Sequence, residues 1–117
     1  MAVTGIGGIF FRSKDPVARA AWYREHLGVE AGQDGLWQQE AGTTVFAPFP
    51  ADSEYFAADQ SFMLNLRVTG IAELAERLAS AGIAVERRDE WTDTEYGTFV
   101  RIHDPEGLPI ELWQPPA

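Results

Sequence analysis

The chain has 117 residues, 45% of them hydrophobic and 23% charged, a profile that leaves room for one compact domain and no second core. Nine Lys and Arg stand against eighteen Asp and Glu, and the formal charge of -9 argues against binding a phosphate backbone, so nucleic acid is not expected as a partner. The absence of cysteine excludes disulfides, thiolate nucleophiles and zinc ribbons, while Lys14 alone among lysines and only His26 and His103 among histidines leave little for Schiff-base or three-histidine metal chemistry.

No apolar run approaches the roughly 20 residues that span a bilayer, and the first residues lack a basic start followed by an apolar stretch. A cytoplasmic protein with no membrane partner is therefore expected. Residues 6–12 are apolar and aromatic, as strands are. Asp15 then offers a helix cap and Pro16 a first helical position, where its missing N–H costs nothing. Val17, Ala20, Ala21 and Leu27 recur near helical spacing and Gly28 supplies a stop, which predicts a helix over about 16–27. Short strands are expected over 29–31, 35–40 and 43–48, separated by Gln33-Asp34-Gly35 and Ala41-Gly42. Residues 48–60 have no clean period and read as a connector.

The same order then begins again. Residues 62–68 alternate, with Phe62, Leu64, Leu66 and Val68 on one face and Met63, Asn65 and Arg67 on the other. Ile71, Leu74, Ala75 and Leu78 follow at helical spacing up to Gly82. Strands are expected over 85–91, 96–103 and 108–113, the last two joined by the turn Asp104-Pro105-Glu106-Gly107. Each half is thus strand, helix and three strands: one unit over about 5–48, a connector over about 49–60, and a second unit over about 61–114, within a single domain over 1–117. One such unit cannot bury its own sheet, so the two must pack together.

Two βαβββ units, the helix entry Lys14-Asp15-Pro16, the helix stretch Trp22-Tyr23-Arg24-Glu25 with Leu27-Gly28, and the closing Asp104-Pro105-Glu106-Gly107 with Ile110-Glu111-Leu112-Trp113 resemble the vicinal oxygen chelate superfamily. That superfamily includes glyoxalase I, extradiol dioxygenases and bleomycin-resistance proteins. The resemblance implies an α+β fold in which two βαβββ units form a cupped, incompletely closed mixed sheet of eight strands with two outer helices. It also implies a homodimer and, in many members, a divalent metal in the cup. The family's four ligand positions fall here on Gly8, on Met63, near Phe46 or Ala47, and on Glu111. Only Glu111 carries an oxygen ligand. A glycine has no side chain, and a thioether is a poor ligand for magnesium, manganese or iron.

Alternation with Ile110 and Leu112 points Glu111 into the cup, where it is either a general base, or a hook for a cationic group, or the partner of a neighbouring arginine. Arg12 and Arg67 occupy equivalent places in the two units and Arg101 lies on the strand beside Glu111; all three suit an anionic ligand group, and for all three a structural ion pair with Glu111 or another acid is the favoured reading. His103 is an acid/base candidate beside Asp104, although its place at a strand end equally fits an exposed hydrogen-bonding residue. His26, in the last helical turn, suits the helix dipole and has no catalytic role. Among the aromatics, Phe10, Trp37, Tyr55, Trp91, Tyr96 and Trp113, core packing is the ordinary reading. Four tryptophans in so short a chain also fit a cup lined for a planar or cationic ligand, with Trp113 on the Glu111 face. The stretch 52–59, which carries Tyr55, reads as a flap or a plain connector.

Two functions follow. The first is binding of a small organic molecule in the cup without a catalytic metal, in the manner of a bleomycin-resistance protein, with Trp113, Arg12, Arg67, Arg101, Met63, Phe10, Trp37 and Tyr55 as binding residues; no cofactor is expected. The alternative is a metal-dependent lyase, isomerase or dioxygenase that uses Glu111 as ligand or base together with His103.

Overall fold

The computed structural model describes residues 2–32, 34–55 and 57–117. The elements run α1 (Pro16–Leu27), β1 (Leu64–Arg67), α2 (Ile71–Ser80), a 3-10 turn (Asp89–Trp91), β2 (Thr98–His103) and β3 (Pro109–Gln114). The three strands form one mixed sheet in the order β1-β3-β2, with β1 parallel and β2 antiparallel to β3. The fold is α+β, and its sheet does not close into a barrel.

The capping chemistry accounts for both helices. The Asp15 carboxylate accepts from the Ala18 amide at 3.1 Å, and Gly28 takes the left-handed conformation, φ 69°, that ends α1. At the start of α2 the equivalent position is Gly70, which has no side chain to offer, and Gln114 Oε1 at the end of β3 accepts from the Ile71 amide at 2.9 Å instead. The apolar stripe of α2 is buried as its spacing requires: Ile71, Leu74, Ala75 and Leu78 face the sheet. In α1 the outcome differs from the expected stripe. Val17 is 82% exposed, and the inward positions are Arg19 and Tyr23, one turn apart.

Pairing Leu64 and Ile102 with Ile110, and Leu66 and Val100 with Leu112, puts one face of the sheet against the helices. Together with Tyr23, Leu74 and Leu78 these residues are the core, and Leu78, Ile102, Ile110 and Leu112 are its fully buried centre. Asn65 and Arg101 flank Glu111 on the other face, as Arg67 and Phe99 flank Trp113.

The strand expectations divide between the halves. In the second unit β1, β2 and β3 lie within a residue or two of their expected bounds. Residues 85–91 are the exception, because only Glu86 bridges to Arg101 before the chain coils into the 3-10 turn. Arg88 is bonded to Glu86, and its guanidinium lies 4.7 Å from the Trp91 ring centroid, a local contact that draws the segment into a turn. In the first unit the stretches 6–12, 29–31, 35–40 and 43–48 carry no strand. Among the described residues no backbone–backbone hydrogen bond involves 2–11. An alternating apolar pattern specifies a face to bury, whereas a strand also needs a neighbour to complete its ladder.

One buried polar cluster ties α1 and its entry to the turn between β2 and β3. Asp104, 5% exposed, accepts from Arg19 Nε at 2.7 Å and Tyr23 Oη at 2.8 Å through Oδ2, and from the Glu106 and Leu108 amides at 2.8 and 3.1 Å through Oδ1. Glu106 reaches back to the helix entry, accepting from Ser13 Oγ at 2.6 Å and from the Lys14 and Asp15 amides at 2.7 and 3.3 Å. The Asp-Pro-Glu-Gly turn is therefore the clasp that fixes α1 against the sheet.

Candidate functional site

Glu111 lies at the centre of the cup face, 6% exposed. Tyr55 Oη donates to its Oε2, and Asn65 Nδ2 donates to its Oε1 at 2.6 Å. Burial first, and then the hydrogen bond to Glu111, push the Tyr55 hydroxyl up to about 12 from its ordinary 10.0, so Tyr55 is a neutral donor at physiological pH. This pairing brings the connector down onto the sheet at Tyr55.

Above this floor is an open cavity of about 700 Å³. Its walls are aromatic: Phe49 and Tyr55 from the connector, Trp91 from the 3-10 turn, Tyr96 from the turn before β2, and Phe99 from β2 itself. Glu90 and Glu95 lie on the same walls, and Met63 completes the lining. A second recess of about 310 Å³ lies beside it, shares Tyr55 and Met63, and contains Arg101 and His103.

Of the expected site residues, the structure brings Glu111, Tyr55 and Met63 together in the cup, with Arg101 and His103 in the adjoining recess. His103 shares the sheet face of Glu111 but is exposed and sits opposite Pro109, two positions before Glu111 at the start of β3. Trp113 is buried behind Phe99, with which it stacks at 6.2 Å, and its indole N–H donates to the Tyr96 carbonyl at 2.7 Å; it supports the wall rather than lining it. Arg67 donates to the carbonyls of Thr43 and Glu40 at 2.6 and 2.9 Å and so holds that turn. Arg12 and Trp37 are exposed, Phe10 is 94% exposed, and none of them lines either cavity.

Asn65, Phe99 and Glu95 had not been singled out. For Asn65 and Phe99 the signal was available, since strand alternation places them on the faces of Met63 and Arg101. Glu95 lies in a turn, where no periodicity exists to assign its direction.

A family model for a glyoxalase-like domain matches residues 8–113. The chain belongs to the glyoxalase-like family. A solved structure has a similar fold. The crystal structure of TnmS3, an antibiotic binding protein from Streptomyces sp. CB03234, superposes over 99% of both chains with a TM-score of 0.62 and 22% identity. At that identity the likeness is one of fold. No curated protein matches the chain.

Many glyoxalase-like proteins hold a divalent metal in this cup, and the donors present here do not fit one. Both Glu111 oxygens accept from Tyr55 and Asn65, and the Met63 thioether is soft. Among the described residues no three His, Asp or Glu side chains converge as a ligand set. Nor is any described helix long and apolar enough to cross a membrane.

Proposed function

We propose that this glyoxalase-like protein is a metal-independent binding protein that takes a small organic molecule with a planar, aromatic or cationic body into the cup. The observation that carries this reading is the joint presence of aromatic walls and the acids Glu90 and Glu95 around a cavity of about 700 Å³. Ring faces stack on planar ligands and attract cations, and carboxylates at the mouth add long-range attraction. Glu111, held by Tyr55 and Asn65, gives the floor a fixed negative charge. That the similar fold of TnmS3 is described as antibiotic binding supports the same reading. The enzymatic alternative needs His103 to work beside Glu111, and the recess that contains His103 does not include Glu111.

Titration of Trp91 fluorescence with a planar cationic dye tests the proposal. Saturable quenching is expected, together with its loss in Trp91→Ala; a set of such dyes giving no saturable change would refute the cup as a binding site.

We further infer a single cytoplasmic domain acting as a homodimer. Both sheet edges, β1 and β2, are unpaired along most of their length, and Phe10 and Phe46 of the first unit are 94% and 86% exposed. Light scattering on the purified protein is expected to give twice the chain mass, and a monomer at all concentrations would refute the dimer.

A further inference from the structure

Acids outnumber bases two to one in this chain, yet among the described residues only two arginines are ion-paired to carboxylates. Arg19 is bound by Asp104 and Glu106, and Arg88 by Glu86 and Glu90. Arg101 is unpaired like the remaining arginines, but it is half-buried and lines a cavity. Among the described residues no carboxylate comes within ion-pair distance of its guanidinium, although Glu111 lies directly opposite it across the ladder.

Tyr55 keeps the two apart. Its hydroxyl is bonded to Glu111, while its ring lies under the Arg101 guanidinium at 5.2 Å; the Trp91 ring takes the guanidinium at 5.2 Å as well. One long hydrogen bond, from Nη2 to the Tyr55 carbonyl at 3.3 Å, is the only one recorded for the guanidinium among the described residues. A guanidinium has five N–H donors in a planar fork, so most of this fork is unspent. It is half-buried in the second recess, beside His103, whose side chain has no hydrogen-bond partner among the described residues. Two acids also line that recess. Glu86 is drawn away by Arg88 at 2.6 and 2.9 Å, and Glu54 is exposed, with water to screen it.

We propose that the recess around Arg101 and His103 is an anion subsite that takes a carboxylate carried by the same ligand whose planar body occupies the cup. The shared walls, Tyr55 and Met63, make the two cavities neighbours within reach of one molecule. The ligand class is thereby narrowed from any planar cation to an amphoteric aromatic molecule, a ring system bearing an acid group. This inference rests on the cup being a binding site.

A matched pair of probes tests it: a carboxyl-bearing rhodamine and its methyl ester, which differ only in the anionic group. Wild-type protein is expected to bind the acid about tenfold more tightly than the ester, the scale of one charge-assisted hydrogen-bonded pair. The preference is expected to shrink as salt is raised. In Arg101→Met the preference for the acid over the ester is lost. Equal wild-type affinities for acid and ester would overturn the subsite while leaving the cup reading intact, and need no variant to be folded. A preference that survives Arg101→Met would equally overturn the assignment. Saturable binding of neither dye would end the cup reading and the subsite with it.

Discussion

Replacing Asp104 with Ala removes the carboxylate that ties α1 to the sheet. Four groups lose their acceptor at once: the Arg19 guanidinium, whose side chain is 7% exposed, the Tyr23 hydroxyl, and the amides of Glu106 and Leu108. The amides lie at a turn and can recruit water. The guanidinium cannot do so cheaply, because it is held under the Phe11 ring at 4.6 Å and between the helix and the turn. Breaking a buried ion pair by removing one partner costs about 3–5 kcal/mol, and Glu106, still 3.4 Å from the Arg19 guanidinium, offsets part of the stranded charge and puts the loss at the lower end of that range. Urea denaturation of wild type and Asp104→Ala is expected to show a loss in that range with little change in the slope. Adding Arg19→Met to Asp104→Ala removes the stranded charge, so the double variant is expected to lose about 1–3 kcal/mol less than the sum of the single losses. A single-variant loss below about 1 kcal/mol, or strict additivity, would refute the view that this cluster is a coupled clasp.

Acid is expected to loosen the same clasp. Hydrogen bonds, that from Ser13 first, hold the Glu106 carboxyl at about 2 instead of 4.5; for Asp104 burial pushes upward, but bonds from Tyr23, Arg19 and two amides outweigh it and leave the carboxyl lowered. Lowered folded values mean stability that is fully present above the unfolded values and is lost as pH falls through the folded ones. Urea midpoints are therefore expected to drop between about pH 4.5 and pH 2, and flat midpoints there would contradict the assignment. Tyr55→Phe leaves one Glu111 oxygen without its donor and is expected to cost about 1–2 kcal/mol. Because Tyr55 is raised from 10.0 to about 12, its contribution holds below the lower value and fades as pH climbs to the higher, so the variant is expected to lose less stability than wild type over that alkaline window. Gly97, at φ 112°, packs against the Gln114 carbonyl; Gly97→Ala is expected to cost more than about 2 kcal/mol by thermal melting, and a neutral result would refute the close approach.

The elements that were legible in the sequence are those whose causes are local. Asp15, Pro16 and Gly28 delimit α1 because capping acts within a few residues, and the stripe of α2 was readable because its period is its own. The cup face followed from alternation once Ile110 and Leu112 were taken as core. The buried face of α1 was not legible, because Arg19 and Tyr23 turn inward only for Asp104, more than eighty residues away. The same distance problem hid Tyr55, whose partner on β3 could not be inferred from a connector without a period. In the first unit the apolar runs are visible, but the strands expected of them depended on neighbours that sequence does not name.

The cup's division of labour bears on how such a chain changes over time. The residues that hold the fold, Ile102, Ile110, Leu112 and Leu78, occupy the side of the sheet away from the cup, whereas most of the wall residues, Phe49, Tyr55, Trp91, Glu95 and Tyr96, stand on loops and turns. A substitution in the wall disturbs little of the packing that supports stability. On the proposed binding function, ligand preference and core packing are thus largely separate variables here, Tyr55 with its bond to Glu111 excepted, and selection can move the first while the second stays constant.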